Sequence, residues 1–145
     1  MDKTELSRAA LEEIERKTIN DFPRFQNLDL ANIISSFLKL SYIPREILAE
    51  INQMQNLSFN KYSCLLILES LVHLKYDETL ELYDKLFKQL QKNSLNMNTK
   101  LVGRTIQVLV EYKQIFQNDK EKNEQISDLA QYYIERFNDA VKPQQ

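Results

Sequence analysis

The stretch Leu30–Tyr42 lies in register with Cys64–Tyr76, 34 residues further on, and Val102–Tyr112 repeats the pattern with Leu109 standing 38 residues after Leu71. In the first two copies the apolar side chains fall at i, i+3, i+4, i+7 and i+8, and the third keeps this pattern except for Thr105 at i+3, which lays them along one broad face of an α-helix. A unit of this length cannot bury such a face alone, and a chain that repeats it stacks one helix pair on the next. The repeat therefore predicts an all-α fold of about seven helices, in which antiparallel helix pairs form a short α-solenoid. A non-repeating bundle of the same helices is the alternative. In the solenoid, Leu40, Leu74 and Leu109 would all lie between helices.

The pattern sets the boundaries. An N-terminal helix spans about 4–19, with Leu6, Ala10, Leu11, Ile14 and Thr18 on its stripe, and Asp21-Phe22-Pro23 ends it, because the residue before a proline is pushed out of the helical region. Repeats then cover about 27–55, 60–92 and 98–138 of a single domain, 1–145. The second helix of the first repeat opens at Pro44, with Ile47, Leu48 and Ile51 as its stripe; a proline is tolerated where the first N–H has no helical partner. The next second helix starts at Asp77, read as its N-cap, and carries Leu80, Leu82, Tyr83, Leu86, Phe87 and Leu90. Asn118–Glu124 reads as a loop or a first helical turn. The last helix has Ile126, Leu129, Ala130, Tyr133, Ile134 and Phe137, and the tail Val141–Gln145 reads as frayed.

Composition agrees with helices. One glycine and three prolines are too few for the many turns of a sheet protein, while 43% hydrophobic residues suffice for a core. A net charge of −2 argues against indiscriminate coating of nucleic acid, which needs an excess of Lys and Arg. The lone cysteine, Cys64, excludes an internal disulfide and fits a reducing compartment or the interior of a large assembly. No run reaches the roughly 18 apolar residues of a membrane helix. The acidic Glu12, Glu13 and Glu15 near the start are unlike an organelle presequence, so no targeting signal is read.

The run Asn27–Pro44, with Leu30, Ile34, Leu38, Leu40, Tyr42 and Pro44, followed by a second apolar helix, resembles the opening of an octotricopeptide or heptatricopeptide repeat, as in FAST-kinase-like and RAP-domain proteins. The resemblance covers residues 27–112; the second copy keeps Tyr76 but has Glu78 where Pro44 stands in the first. It implies a helical-repeat protein that acts on RNA in mitochondria or plastids. This chain departs from the family in having few repeats and no RAP domain, so a mitochondrial subunit lodged in a larger assembly fits it better.

Few residues offer chemistry. His73, the only histidine, aligns with Lys39 and Glu111 on a polar face, and Cys64 aligns with the stripe residues Leu30 and Val102. One Cys and one His exclude a zinc site of usual composition, and no catalytic residue, cofactor or small-molecule substrate is read. Gly103 falls inside a helix, where it costs about 1 kcal/mol relative to alanine, and it is read as a close helix crossing, with an incidental residue on an exposed face as the alternative. Between Asp84 and Glu111 the charged residues are Lys85, Lys88, Lys92, Lys100 and Arg104, all basic, with Gln89, Gln91, Asn93, Asn96 and Asn98 among them. This stretch could hold phosphates or an acidic protein surface, or its lysines could be ordinary solvated charge near a helix C-terminus, where they complement the dipole. Tyr133 is read as core, and its neighbour Tyr132 as an aromatic anchor for a partner or a core edge. The sequence thus points to a non-enzymatic subunit that scaffolds a multi-subunit assembly through protein contacts, with an RNA-binding module of an organellar ribonucleoprotein as the alternative.

Overall fold

The computed structural model describes residues 3–55, 58–92 and 97–141. These form seven α-helices: α1 (Lys3–Asn20), α2 (Asn27–Lys39), α3 (Arg45–Gln53), α4 (Lys61–His73), α5 (Leu80–Lys92), α6 (Thr99–Ile115) and α7 (Lys120–Val141), with a 3-10 turn, Phe22–Arg24, around Pro23. No strand occurs among the described residues.

Local chemistry starts and stops the repeated helices at matched places. Gln26, Asn60 and Asn98 precede α2, α4 and α6 at the spacings of the sequence repeat. The side chain of Asn60 accepts the N–H of Ser63 at 2.8 Å and that of Asn98 the N–H of Leu101 at 2.9 Å, each satisfying a helical donor that has no partner in the chain above it. At α2 the Gln26 N–H donates to the Asp29 carboxylate at 3.1 Å.

The exits of α2 and α4 match still more closely. Ser41 and Lys75 adopt left-handed backbone, φ 58° and 55°. Each donates its N–H to a carbonyl in the last helical turn, Leu38 and Val72 respectively, while Tyr42 and Tyr76 donate to Phe37 and Leu71, all four bonds at 3.0 Å. This paired-bond cap turns the chain sharply and brings the residue after the turn back onto the helix: the Tyr42 and Phe37 rings lie 5.3 Å apart. Glycine usually fills such a position. Here Ser and Lys do, so nothing in the composition marks the turns.

The helices pack as α2 on α4 on α6 and as α1 on α3 on α5, with α4–α5 and α6–α7 contacts joining the two rows. One apolar core runs through them, from Leu30 and Ile34 through Leu65, Leu68 and Leu82 to Leu109 and Tyr133. Aromatic rings close the α5–α6 junction: Tyr83 stacks on Tyr112 at 4.6 Å, and Phe87 on Tyr112 at 5.1 Å. The Tyr83 hydroxyl, buried with them, donates to the Tyr76 carbonyl at 2.6 Å.

Several details differ from the sequence-based expectation. Leu109 is buried and Leu74 partly so, but Leu40 is 63% exposed; it sits at the helix exit, where the stripe has run out and Tyr42 takes the core contact. Ile14, Leu80 and Ile134, counted on stripes, lie exposed. On α1 the inward position after Leu11 belongs instead to Glu15, which is 5% exposed. α5 begins at Leu80 rather than after Asp77, because Arg45 holds Glu78 at 2.9–3.0 Å and the Tyr76 hydroxyl holds Thr79. The polar run before α7 is its first turn, capped by Asp119, which accepts the Lys122 N–H at 3.0 Å. No close crossing occurs at Gly103: a Cβ built there meets nothing within 4 Å. Asn93, Asn96 and the tail residues 142–145 lie outside the described residues.

The left-handed turns carry a prediction. Ser41→Gly and Lys75→Gly should each raise stability in urea unfolding by about 0.5–1 kcal/mol, because the side chain's clash in this conformation outweighs the extra freedom of glycine in the unfolded chain. Destabilisation by both substitutions would contradict the turn geometry.

Candidate interaction surface

The five basic residues between Asp84 and Glu111 do not form one patch. Arg104, on α6, reaches Glu69 on α4 through both carboxylate oxygens, with Nε at 3.0 Å from Oε2. A two-point bond of this kind fixes the direction of both side chains, and it is the main cause of the raised Arg104 pKa. Lys85 donates to the Asn52 carbonyl in the last turn of α3, where a cation complements the negative end of the helix. These two charges tie neighbouring helices together. Lys88 and Lys92 on α5 and Lys100 on α6 are exposed, and none has an ion-pair partner among the described residues.

Tyr132 is half-buried at the edge of the core. Its ring meets Tyr133 edge-on at 5.1 Å and carries the Arg136 guanidinium 4.6 Å above its face. Tyr133 is fully buried.

Two polar groups that the sequence pattern did not single out complete the picture. Glu15 accepts the Tyr42 hydroxyl at 2.7 Å and the N–H groups of Glu46 and Ile47 at 3.0 and 3.2 Å. Burial, and then the hydrogen bond to Glu15, hold the Tyr42 hydroxyl well above its ordinary pKa. Lys122, buried on α7, donates to Asp84 on α5 and lies 5.7 Å from the centre of the Tyr112 ring. A signal for Glu15 is present in the sequence: an acid four residues after Leu11 and three before Thr18, on the inward face. Lys122 has none, because it stands in a polar run where every residue looks solvated.

His73 is exposed at the end of α4, and Cys64 is fully buried with its thiol pushed up to about 12 by that burial. A thiol so protonated is a poor nucleophile. Among the described residues no group of three or more His, Cys, Asp or Glu side chains is placed to hold a metal ion, and no helix is long and apolar enough to cross a membrane. Comparison with family models, with curated proteins and with solved structures gave no match.

Charge reversal separates the two kinds of basic residue. Arg104→Glu, which sets a carboxylate against Glu69, should cost roughly 1 kcal/mol in urea unfolding, given that both partners are about one-third exposed. Lys88→Glu and Lys92→Glu should each stay within about 0.5 kcal/mol of the parent. Equal effects at all three positions would contradict this division.

Proposed function

We propose that the chain is a non-enzymatic helical-repeat subunit that holds a place in a multi-subunit assembly through protein contacts, with stacked helix pairs as its architecture. The observation that carries this reading is how the polar groups between helices are used. Glu15 joins α1 to α3, Lys85 joins α5 to α3, Arg104–Glu69 joins α6 to α4 and Lys122–Asp84 joins α7 to α5. Each binds one helix to the next in line, and catalysis would instead require such groups to converge on a reacting atom. What is left for function is surface.

Exposed apolar groups favour a protein partner. Leu28 and Tyr62 occupy equivalent places in the first turns of α2 and α4 and are 53% and 55% exposed. Tyrosine contributes large contact area at interfaces for little loss of side-chain freedom. RNA binding has less support: two of the five basic residues are engaged within the fold, and three lysines offer few phosphate contacts. The mitochondrion is the compartment that the repeat resemblance implies.

The test is the state of the protein in its native extract. A tagged chain should elute in size-exclusion chromatography well above the mass of its monomer and stay there after ribonuclease treatment. The isolated chain should show no saturable binding to single-stranded RNA at about 0.15 M salt. Elution as a monomer would contradict the scaffold, and collapse on ribonuclease treatment together with tight, salt-sensitive RNA binding would favour the alternative.

A further inference from the structure

Between α5 and α7 runs an open groove of about 370 Å³. Its floor is apolar: Phe87, Tyr112 and Ile126 are each less than 5% exposed, and Leu129 is half-buried beside them. Tyr112 lines the groove, and its hydroxyl, buried with the ring, has no hydrogen-bond partner among the described residues, a condition that costs free energy unless something supplies one. The only carboxylate lining the groove among the described residues, Asp84, is taken by Lys122. On the α5 wall Lys88 is exposed and Lys92 continues the same helical face one turn on, and among the described residues neither has an ion-pair partner. The groove therefore presents an apolar floor beside an α5 wall that carries Lys88, with Lys92 one turn beyond.

We propose that this groove seats an acidic amphipathic helix of a partner protein, whose apolar side chains enter between Phe87, Ile126 and Leu129 while its flanking carboxylates meet Lys88 and Lys92. The proposal rests on the partner-binding reading above and names the chemistry of the partner. A helix suits the groove better than a strand. Both walls are helices with their backbone groups already bonded internally, so an extended segment would find no ladder to join. The volume accommodates side chains rather than a backbone, which matches a helix lying across the rim with anchors at i, i+3 or i+4, and i+7. Lysines four residues apart complement carboxylates at the same spacing on the facing helix.

The test uses the full chain and a phage-displayed library of helical peptides. Their apolar positions are fixed at i, i+3, i+4 and i+7, and their remaining positions are free to be Glu, Lys, Gln or Ser. Selected peptides should be enriched in Glu beside the apolar stripe and should bind less tightly as salt rises. The double variant Lys88→Glu, Lys92→Glu should weaken them about tenfold or more. Gln125→Glu, an exposed change on the groove lining that leaves the core intact, should weaken them as well. Absence of enrichment, enrichment of Lys-rich peptides, or unchanged binding by both variants would overturn the proposal. So would saturable binding of poly(U) that the same lysine reversals abolish. If both groove variants still enter the large assembly in native extract, the groove assignment fails and the scaffold reading stands. If the parent chain itself elutes as a monomer, the scaffold reading fails first.

Discussion

A single carboxylate holds the start of the second helix row. α3 is nine residues long, well under the length at which a helix is stable by itself in water, and it opens after Pro44 with no side-chain cap of its own. The Arg45 N–H donates to the Ile43 carbonyl at 2.9 Å, but the N–H groups of Glu46 and Ile47 have no helical carbonyl to meet. Glu15, from α1, accepts both of them and the Tyr42 hydroxyl as well. One buried side chain thus caps α3, fixes the chain turn after α2 and docks α1. An ionised or hydrogen-bonded carboxylate at a helix N-terminus is favoured by both the free donors and the helix dipole. The same α3 then supplies at its far end the Asn52 carbonyl that Lys85 of α5 engages, so the contact between α1 and α3 is passed on to the next helix in the row.

Much of this architecture is legible in the amino-acid sequence. Seven helices, their order and most of the core follow from apolar spacing, because burial of a stripe is a local property repeated along the chain. The starts of the second and third repeats, placed at about 60 and 98, fall at the asparagines that cap α4 and α6. Other features are not. The left-handed turns at Ser41 and Lys75 use residues that nothing local marks out, and only the recurrence of Tyr42 and Tyr76 hints that the two exits are alike. Gly103 misleads in the opposite sense: a glycine inside a helix suggests a close neighbour, and the space around it is empty. The basic stretch cannot be divided from sequence, because Glu69, the partner of Arg104, lies 35 residues away and Asn52, the partner of Lys85, lies 33 residues away.

That division shapes the functional account. Lys85 and Arg104 tie helices together within the fold, whereas Lys88 borders an apolar groove at the α7 end of the chain and Lys92 lies one turn beyond it. Charge without an ion-pair partner beside an apolar groove is what separates a recognition face from a merely solvated one. The net charge of −2 does not forbid this, since recognition depends on the field over a patch rather than on the sum over the molecule.

The most direct test of the helix-to-helix linkage is amide hydrogen exchange on the Glu15→Ala variant. If Glu15 secures α3 and neighbouring helices depend on one another in sequence, protection should fall at Glu46 and Ile47 and through the rest of α3. It should fall less in α5, and stay near the parent level in α6 and α7. Unchanged protection in α3, or an equal loss in all seven helices, would contradict the account.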